Sequence, residues 1–599
     1  MKTMRNSIFA FVALLAGLIP FSAVAQSIQG ITTFGDSLSD NGNAFRSTGG
    51  LVPPSPPYFN GRFTNGFVWV ENLATDLKLS TTSTNFAFGG ATSGTANTVS
   101  PLLPGVATQI NTFLQASPIA DPNRAYVVWA GANDYLGGGI TNPAVPVTNI
   151  STLLQQLTRA GARTLIVPNL PDLGTVPGGA ANPIQSAALS QLSAGHNQGL
   201  NAALRTLAQS NPNVNVIPID IAALFAEART DPARFGFTNV TQPCLNLAAG
   251  TLCPNPNQFL FWDDLHPTAA GHTIISQYAF DILTAPQTIA PQTEVALGVA
   301  RRSVRDINGR LLTLRTPGQN LNQRWGVFVN GDLNVGNRDA TDRNTGFDFD
   351  TKGVTLGADY RVRNDLALGL AVSYAHNNSD LNNDRGKIEV DSYSLSAYGS
   401  YDRDRFYADL LVNYGWNNFD ITRNIKVTGF NAAKADPNGT QFSARINTGY
   451  NLGSNQLYVG PTIGARYSRV NIDGYSERNG NILNLNVADQ TADSVVLNVG
   501  AQVAYNFRTN FGTVSPYAAA NYEHEFANGD REIVTELATQ PGIPRRTRIE
   551  TSDRDAVRLS AGVQTQLVNN LSIGVNYETV LGKNQFSDHF VQAQLRYQF

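Results

Sequence analysis

The stretch Phe34-Gly35-Asp36-Ser37-Leu38-Ser39-Asp40 decides how the first half of this chain is interpreted. An apolar run from Ile31 to Phe34 precedes it and predicts a short buried strand that ends at Gly35. Ser37 then falls on the turn after the strand, where its hydroxyl would project clear of the sheet edge, as a nucleophile requires. No glycine follows at the spacing of a G-x-S-x-G turn, so this stretch needs partners elsewhere in the chain.

Length and composition limit the classes of protein to which the chain can belong. At 599 residues it is too long for one ordinary domain, and we expect two or more. Charged residues make up only 15% of the chain, the formal net charge is -3, and no basic cluster stands out. A nucleic-acid partner is therefore not indicated.

The first 25 residues have the pattern of a removable export signal. Lys2 and Arg5 precede an apolar run from Ile8 to Ile19. Ala23-Val24-Ala25 fits a small-x-small cleavage site, so we expect cleavage before Gln26. Beyond this signal no stretch offers 18 consecutive apolar residues, and we expect no transmembrane helix in the mature chain.

The two cysteines, Cys244 and Cys253, lie close together in a chain that is expected to be exported. An oxidising compartment makes a small disulfide loop the preferred interpretation, and two separate buried thiols are the alternative. A Cys-x8-Cys pair without histidine neighbours is a poor metal signal, so we expect no metal there.

Residues 26 to 284 alternate short apolar runs with longer helical stretches. We predict buried strands at 125–130, 164–167 and 214–217, and helices at 150–160 and 185–209. Strands that alternate with helices predict a parallel sheet covered on both faces, with the chemistry at the carboxyl ends of the strands.

A connector at 285–320 follows this region. Pro286 and Pro291 are expected to break it early, and Glu294 to Leu314 is predicted to form a helix. Four arginines make this helix unusually basic for a core helix: Arg301, Arg302, Arg305 and Arg310. Composition alone leaves a solvated surface helix as the alternative.

Residues 321–599 have the pattern of a membrane barrel. Apolar side chains alternate with polar or small ones, most clearly from Val591 to Phe599, and this alternation predicts a wall between lipid and water. Twelve strands are predicted, near 325, 351, 366, 387, 405, 438, 456, 492, 513, 554, 570 and 588. A soluble β-sandwich is the alternative. A closed barrel also explains the basic connector, because arginines can lie in a polar lumen but not against lipid.

Three further segments hold side chains that could act with Ser37. In Asp263-Asp264-Leu265-His266-Pro267 the spacing lets Asp263 orient His266, which would take the serine proton. Asn133 follows a predicted strand and could donate to an oxyanion, or could only form an Asx turn. Paired glycines offer the Gly90 N–H as a second donor, with a plain loop as the alternative, and the Ser37 N–H is the third.

Taken in order, GDSLSDNGN at 35–43, NFAFGGA at 85–91, GAND at 131–134 and DDLHP at 263–267 resemble the SGNH, or GDSL-motif, family of lipases and esterases. The resemblance implies a flavodoxin-like α/β/α fold and no metal or organic cofactor. It also implies these site residues: Ser37 as nucleophile, His266 as base, Asp263 as the partner of the base, and Ser37, Gly90 and Asn133 as oxyanion donors. The adjacent acid Asp264 departs from the simple pattern, but the three-residue spacing favours Asp263. Asp36 is interpreted as a turn-stabilising residue, and the stretch at 61–66 as structural or pocket-lining.

The whole chain resembles an autotransporter esterase, with a signal, a GDSL passenger at 26–284, a connector helix that threads the barrel, and a twelve-stranded translocator barrel. This resemblance implies an outer-membrane protein whose passenger faces the extracellular side. It also implies the barrel-assembly machinery and periplasmic chaperones as partners. The expected reaction is hydrolysis of a carboxylic ester, with lysophospholipids and glycerides as candidate substrates.

Three alternatives are weaker. Acyl transfer to an acceptor alcohol would use the same triad when water is excluded. An adhesin passenger would show long β-helical repeats, and none is visible before residue 285. A porin-like channel is disfavoured because the basic connector would block its lumen.

Overall fold

The computed structural model describes residues 28–79, 82–247, 249–315, 323–341, 343–454, 456–527, 529, 531–549, 553–568 and 570–599. The predicted export signal at 1–25 and the end of the predicted connector, 316–320, lie outside these residues. Within them the chain forms an α/β domain, then a long helix, then a β-barrel. No helix in the described part of the chain is long and apolar enough to cross a bilayer.

A five-stranded parallel sheet forms the centre of the α/β domain. Its strands are β1 (Gly30–Gly35), β2 (Thr84–Asn85), β3 (Arg124–Trp129), β4 (Thr164–Pro168) and β5 (Asn215–Ile219). They lie in the order β2-β1-β3-β4-β5, which is the strand order of flavodoxin-like folds. The fold class predicted for this half is therefore confirmed.

Helices cover both faces of the sheet. They are α1 (Asn43–Ser47), α2 (Trp69–Asp76), α3 (Val106–Ala116), α4 (Ala132–Leu136), α5 (Ala144–Ala160), α6 (Pro177–Ala180), α7 (Pro183–Ser210), α8 (Ile221–Thr230) and α9 (Ala269–Ile289). On one face, Ile31 and Val127 pack with α2, α8 and α9. On the other, Phe34 and Val128 pack with α3, α5 and α7. Burial on both faces explains why these strands are continuous apolar runs.

Short strands after α8 form a small lobe beside the sheet. They are β6 (Asn239–Pro243), β7 (Leu245–Asn246), β8 (Thr251–Leu252) and β9 (Phe259–Phe261). A disulfide joins Cys244 to Cys253 next to the β7–β8 hairpin. Tyr58 and Trp262 pack in the same apolar cluster, so the cross-link stabilises the chain just before the segment at 263–267.

A second long helix, α10 (Pro291–Leu314), follows α9 after a single residue. The sequence predicted a break at Pro286, and this was wrong, because α9 continues through Pro286 to Ile289. Proline removes the N–H that would bond to the carbonyl of Ile282, and the Arg545 side chain donates to that carbonyl instead, at 2.8 Å. The carbonyl of Ile282 therefore has a hydrogen-bond donor, and the residue that supplies it lies far away in the sequence.

The remaining strands build the barrel and its loops. In chain order they are β10 (Trp325–Arg338), β11 (Phe347–Arg363), β12 (Leu366–Leu381), β13 (Gly386–Arg403), β14 (Phe406–Arg423), β15 (Ala433–Ala435), β16 (Asn438–Tyr450), β17 (Leu457–Ile472), β18 (Tyr475–Ser476), β19 (Leu485–Val487), β20 (Gln490–Tyr505), β21 (Phe507–Thr509), β22 (Gly512–Glu525), β23 (Arg531–Leu537), β24 (Arg545–Ile549), β25 (Asp555–Leu567), β26 (Leu571–Leu581) and β27 (Phe586–Gln598). Twelve of them close into an antiparallel ring, in the order β10-β11-β12-β13-β14-β16-β17-β20-β22-β25-β26-β27, because β27 pairs with β10. The twelve-stranded barrel is confirmed, and each strand begins within a few residues of its predicted position.

The helix α10 lies inside the barrel, where three of its arginines pair with carboxylates on the wall. Arg302 pairs with Asp332, Arg305 with Asp588, and Arg310 with Asp359, and all six side chains are buried. Without its carboxylate partner, each guanidinium would be a buried charge with no opposite charge beside it. The 24 residues of α10 rise about 1.5 Å each. The helix is therefore about 36 Å long, which is more than the roughly 30 Å thickness of the hydrocarbon core of a bilayer.

Candidate active site

Ser37 lies just beyond the carboxyl end of β1, and only 7% of it is exposed. Gly35 is required where the strand ends, because a Cβ there would lie 2.8 Å from the carbonyl oxygen of Trp129 on β3. The Asp36 carboxylate accepts the N–H of Leu38 at 3.1 Å. Burial raises the pKa of Asp36 to about 6, and the hydrogen bond from Leu38 opposes the rise. Asp36 thus stabilises the turn that presents Ser37.

The imidazole of His266 connects Ser37 to Asp263. Its Nε2 lies 2.8 Å from the Ser37 Oγ, and its Nδ1 lies 2.8 Å from Oδ2 and 3.0 Å from Oδ1 of Asp263. With Nδ1 protonated, the ring donates to the carboxylate while Nε2 accepts from the serine hydroxyl. Burial alone would lower the pKa of His266, but the neighbouring Asp263 carboxylate raises this pKa above its usual value. This arrangement can move a proton from the serine to the histidine.

Asp263 is held by more donors than the sequence predicts. Its Oδ1 accepts the N–H groups of Leu265 and His266 at 2.8 and 2.7 Å, and its Oδ2 accepts the Tyr58 hydroxyl at 2.8 Å. Burial pushes the pKa of Asp263 upward, but the charge and hydrogen bonds of His266 outweigh it and hold the pKa at about 2. The neighbouring Asp264 is exposed. Asp263 is therefore the acid that contacts the imidazole, and it stays ionised at neutral pH.

Of the predicted oxyanion donors besides the Ser37 N–H, Gly90 lies on the loop after β2 and Asn133 lies at the start of α4. Gly90 has a φ of +77°, and a Cβ there would lie 2.9 Å from the backbone nitrogen of Val99, so glycine is required. Asn133 lines the same pocket as Ser37, and its Nδ2 donates to the carbonyl of Ala91 at 3.1 Å. The Asn133 amide therefore joins α4 to the loop of Gly90 at the pocket that holds the serine.

Two buried aspartates that the sequence analysis did not single out hold these segments together. Asp40 accepts the N–H of Gly89 at 2.8 Å and three further N–H groups at the start of α1. Asp134 accepts the N–H and the hydroxyl of Ser93 at 2.8 and 2.7 Å. A short acidic side chain beside a glycine-rich turn is the signal by which both could have been found.

The stretch at 61–66 supports the turn that carries the histidine. The Thr64 hydroxyl donates to the carbonyl of Pro267 at 2.8 Å. The Phe63 ring packs against the His266 imidazole, with the ring centres 5.3 Å apart. These contacts fix the position of the base, so the stretch has a structural role and also borders the site.

The pocket beside Ser37 has a mostly apolar wall. Its side chains include Trp129, Leu173, Val176, Ile221, Phe225 and Leu265. Such a wall fits an uncharged acyl chain better than a polar or charged group. Among the described residues, no group of three or more His, Cys, Asp or Glu side chains could hold a metal ion.

The site faces away from the barrel. At the amino end of β5, Asn215 exchanges two hydrogen bonds of 2.9 Å with the backbone of Arg546. Arg546 belongs to β24, which lies in the connection between the barrel strands β22 and β25. The strands of the sheet are parallel, so Ser37 lies at the opposite edge, beyond the carboxyl end of β1. A strand of five or six residues separates these two edges by about 17–20 Å.

Two families match the chain in separate halves. Residues 31–279 match the family described as GDSL-like Lipase/Acylhydrolase, and residues 327–578 match the Autotransporter beta-domain. Esterase EstA of Pseudomonas aeruginosa is 29% identical over 78% of this chain and 74% of that protein. Lipase 1 of Photorhabdus luminescens is 27% identical over 88% of this chain and 90% of that protein. A phosphatidylcholine-sterol acyltransferase of Aeromonas hydrophila is 31% identical over 45% of this chain and 95% of that protein.

Proposed function

Since this chain belongs to the GDSL-like lipase/acylhydrolase family and carries an autotransporter β-domain, we propose that Ser37, His266 and Asp263 carry its hydrolysis of carboxylic esters. The chain is an ester hydrolase of the outer membrane with an exported α/β domain. The observation that supports the site is the continuous set of hydrogen bonds from the Ser37 Oγ through the His266 imidazole to the Asp263 carboxylate.

In the first step the Ser37 Oγ attacks the ester carbonyl carbon while the Nε2 of His266 takes the hydroxyl proton. Asp263 keeps the ring in the tautomer that presents Nε2 and stabilises the imidazolium that forms. The imidazolium then gives its proton to the leaving alkoxide, and an acyl-serine remains. Water then attacks the acyl carbon while the same Nε2 takes its proton. The imidazolium returns this proton to the Ser37 Oγ as the acyl–oxygen bond breaks and the acid leaves.

We assign the developing oxyanion to three donors: the N–H of Ser37, the N–H of Gly90 and the Nδ2 of Asn133. The Asn133 amide has a second hydrogen, so it can donate to the oxyanion and keep its bond to the Ala91 carbonyl. Removal of one such donor from an acyl-transfer site slows the chemical step by about 10²–10³-fold.

The apolar wall and the orientation of the site together support a substrate class. The wall beside Ser37 favours esters of an apolar acid, such as a lysophospholipid or a glyceride. The serine faces away from the barrel, and we propose that these esters arrive from the medium.

The export route is proposed from the sequence and from the barrel. The signal at 1–25 would direct the chain to the periplasm and be removed after Ala25. Periplasmic chaperones and the barrel-assembly machinery would then insert the barrel, and the α/β domain would face the extracellular side.

The experiment that tests this function measures hydrolysis of p-nitrophenyl esters of increasing acyl length by intact cells. Cells that carry the unaltered chain are compared with cells that carry Ser37→Ala at the same barrel level. We expect activity on the cell surface that depends on acyl length and that Ser37→Ala abolishes. Full activity of Ser37→Ala would refute the nucleophile assignment, and ester formation in place of acid release when an alcohol is added would favour acyl transfer.

A further inference from the structure

Two connections of the barrel form a second sheet outside the barrel wall. The strands β18 and β19 lie between β17 and β20, whereas β23 and β24 lie between β22 and β25. They pair in the order β18-β19-β23-β24 and make a four-stranded antiparallel sheet. We call these four strands the loop sheet.

The loop sheet shares one hydrophobic core with the α/β domain. Ile533 and Leu485 of the loop sheet are 1% and 4% exposed and belong to the cluster that contains Ile31 of β1 and Tyr278 of α9. Other side chains from the loop sheet and from neighbouring connections of the barrel belong to the same cluster: Val427, Leu483, Val487, Leu537 and Ile549. Without them, an apolar face of α9 that contacts β23 would lie open to water.

Some of the polar contacts at this boundary are made by buried groups. The Asp281 carboxylate of α9 is 1% exposed and accepts the N–H groups of Lys426 and Val427 at 3.0 and 2.8 Å. Asn215 makes its pair of hydrogen bonds with the backbone of Arg546. A buried carboxylate or amide that loses its partner is strongly unfavourable, so each contact depends on the loop sheet and its neighbouring loops remaining in place.

Arg545 makes the most specific contact. Its guanidinium donates to the carbonyls of Ile282 and Leu283 at 2.8 Å each. The first of these carbonyls lacks its helical partner because Pro286 has no N–H. A proline in the last turns of α9 is therefore compatible with a continuous helix because a side chain of the barrel domain supplies the missing donor.

We propose that the loop sheet is an intramolecular docking site for the α/β domain, and that this domain keeps its active fold only while it is docked there. The inference is independent of the catalytic assignment, because the contacts lie at the opposite edge of the sheet from Ser37. The barrel domain therefore stabilises the fold of the α/β domain as well as anchoring it in the membrane.

The first test compares the same substitution on two faces of the loop sheet in the full-length protein. Val487→Ala removes a side chain from the shared core, whereas Val534→Ala alters a half-buried position on the other face of β23. We expect Val487→Ala, and more strongly Ile533→Ala, to lower the temperature at which esterase activity is lost by about 3–6 °C. The barrel should keep its folded mobility on gels, and activity at low temperature should be unchanged.

The second test uses Arg545 and Pro286. Arg545→Leu should make the α/β domain more sensitive to heat and to protease, and Pro286→Ala should restore part of the loss because it returns the missing N–H to α9. Equal inactivation temperatures for Val487→Ala, Ile533→Ala and Val534→Ala would overturn the proposal, as would an Arg545→Leu effect that Pro286→Ala leaves unchanged. Should Ile533→Ala not reach the membrane, the milder Ile533→Val gives the same comparison.

Discussion

Removal of the Tyr58 hydroxyl tests how the charge of Asp263 controls the base. The hydroxyl donates to Oδ2 of Asp263 at 2.8 Å, the same oxygen that accepts the Nδ1–H of His266. This donor draws part of the carboxylate charge away from the imidazole. In Tyr58→Phe the carboxylate therefore acts more fully on the imidazolium, and the pKa of His266 should rise further.

The magnitude follows from the kind of bond that is lost. A hydrogen bond to a charged group contributes about 1.5–3 kcal/mol, and one pKa unit corresponds to about 1.4 kcal/mol of difference between the two protonation states. Only part of the bond energy differs between neutral and charged His266, so we expect a shift of about 0.5–1 pH unit. Because neutral His266 is the active form, the acid limb of kcat/KM should move to higher pH.

The assay is kcat/KM for a p-nitrophenyl ester from pH 5 to 9, with the purified full-length protein. The unaltered protein should already reach half of its maximum above pH 6.5, since Asp263 raises the pKa of His266. Tyr126→Phe is the control, because the Tyr126 hydroxyl donates to the carbonyl of Asp121, away from the site. An acid limb of Tyr58→Phe that stays in place or moves to lower pH would refute the reasoning.

Three further predictions concern the site and its support. Asp263→Ala should lower kcat by far more than Asp264→Ala, because only Asp263 contacts the imidazole. Steady-state kinetics of both variants measures the difference. A larger effect of Asp264→Ala would move the assignment of the acid by one residue. Gly90→Ala places a Cβ 2.6 Å from a side-chain carbon of Val99 at a φ of +77°, so kcat should fall by about 10²-fold while KM changes little; normal kcat would remove Gly90 from the oxyanion donors. Replacement of both Cys244 and Cys253 by serine opens a short loop and should reduce stability by about 3 kcal/mol, which thermal inactivation of esterase activity measures; an unchanged inactivation temperature would contradict a stabilising role for the disulfide.

Elements with a regular local pattern could be predicted from the sequence. The twelve barrel strands show period-two alternation, and the strands of the α/β domain are apolar runs between helical stretches. The segments of Ser37 and Asn133 follow the strands β1 and β3 of the parallel sheet, at whose carboxyl ends side chains from distant parts of the chain converge. The segment of His266 follows the short strand β9 of the neighbouring lobe.

Contacts between distant segments could not be predicted. Tyr58 and Asp263 are 205 positions apart, and no spacing relates them. The continuation of α9 through Pro286 depends on Arg545, which lies more than 250 residues later. The loop sheet lies in two connections between barrel strands. Its short strands pack against the surface of the α/β domain, and this surface comes from a distant part of the sequence.

The most direct test of the central claim is covalent labelling of intact cells with a fluorophosphonate, which reacts only with an activated serine. Digestion and mass spectrometry then identify the modified peptide. We predict one adduct on Ser37 at the cell surface, strongly reduced in His266→Ala and absent in Ser37→Ala. An adduct on another serine, or unchanged labelling of Ser37 in His266→Ala, would contradict the proposed active site.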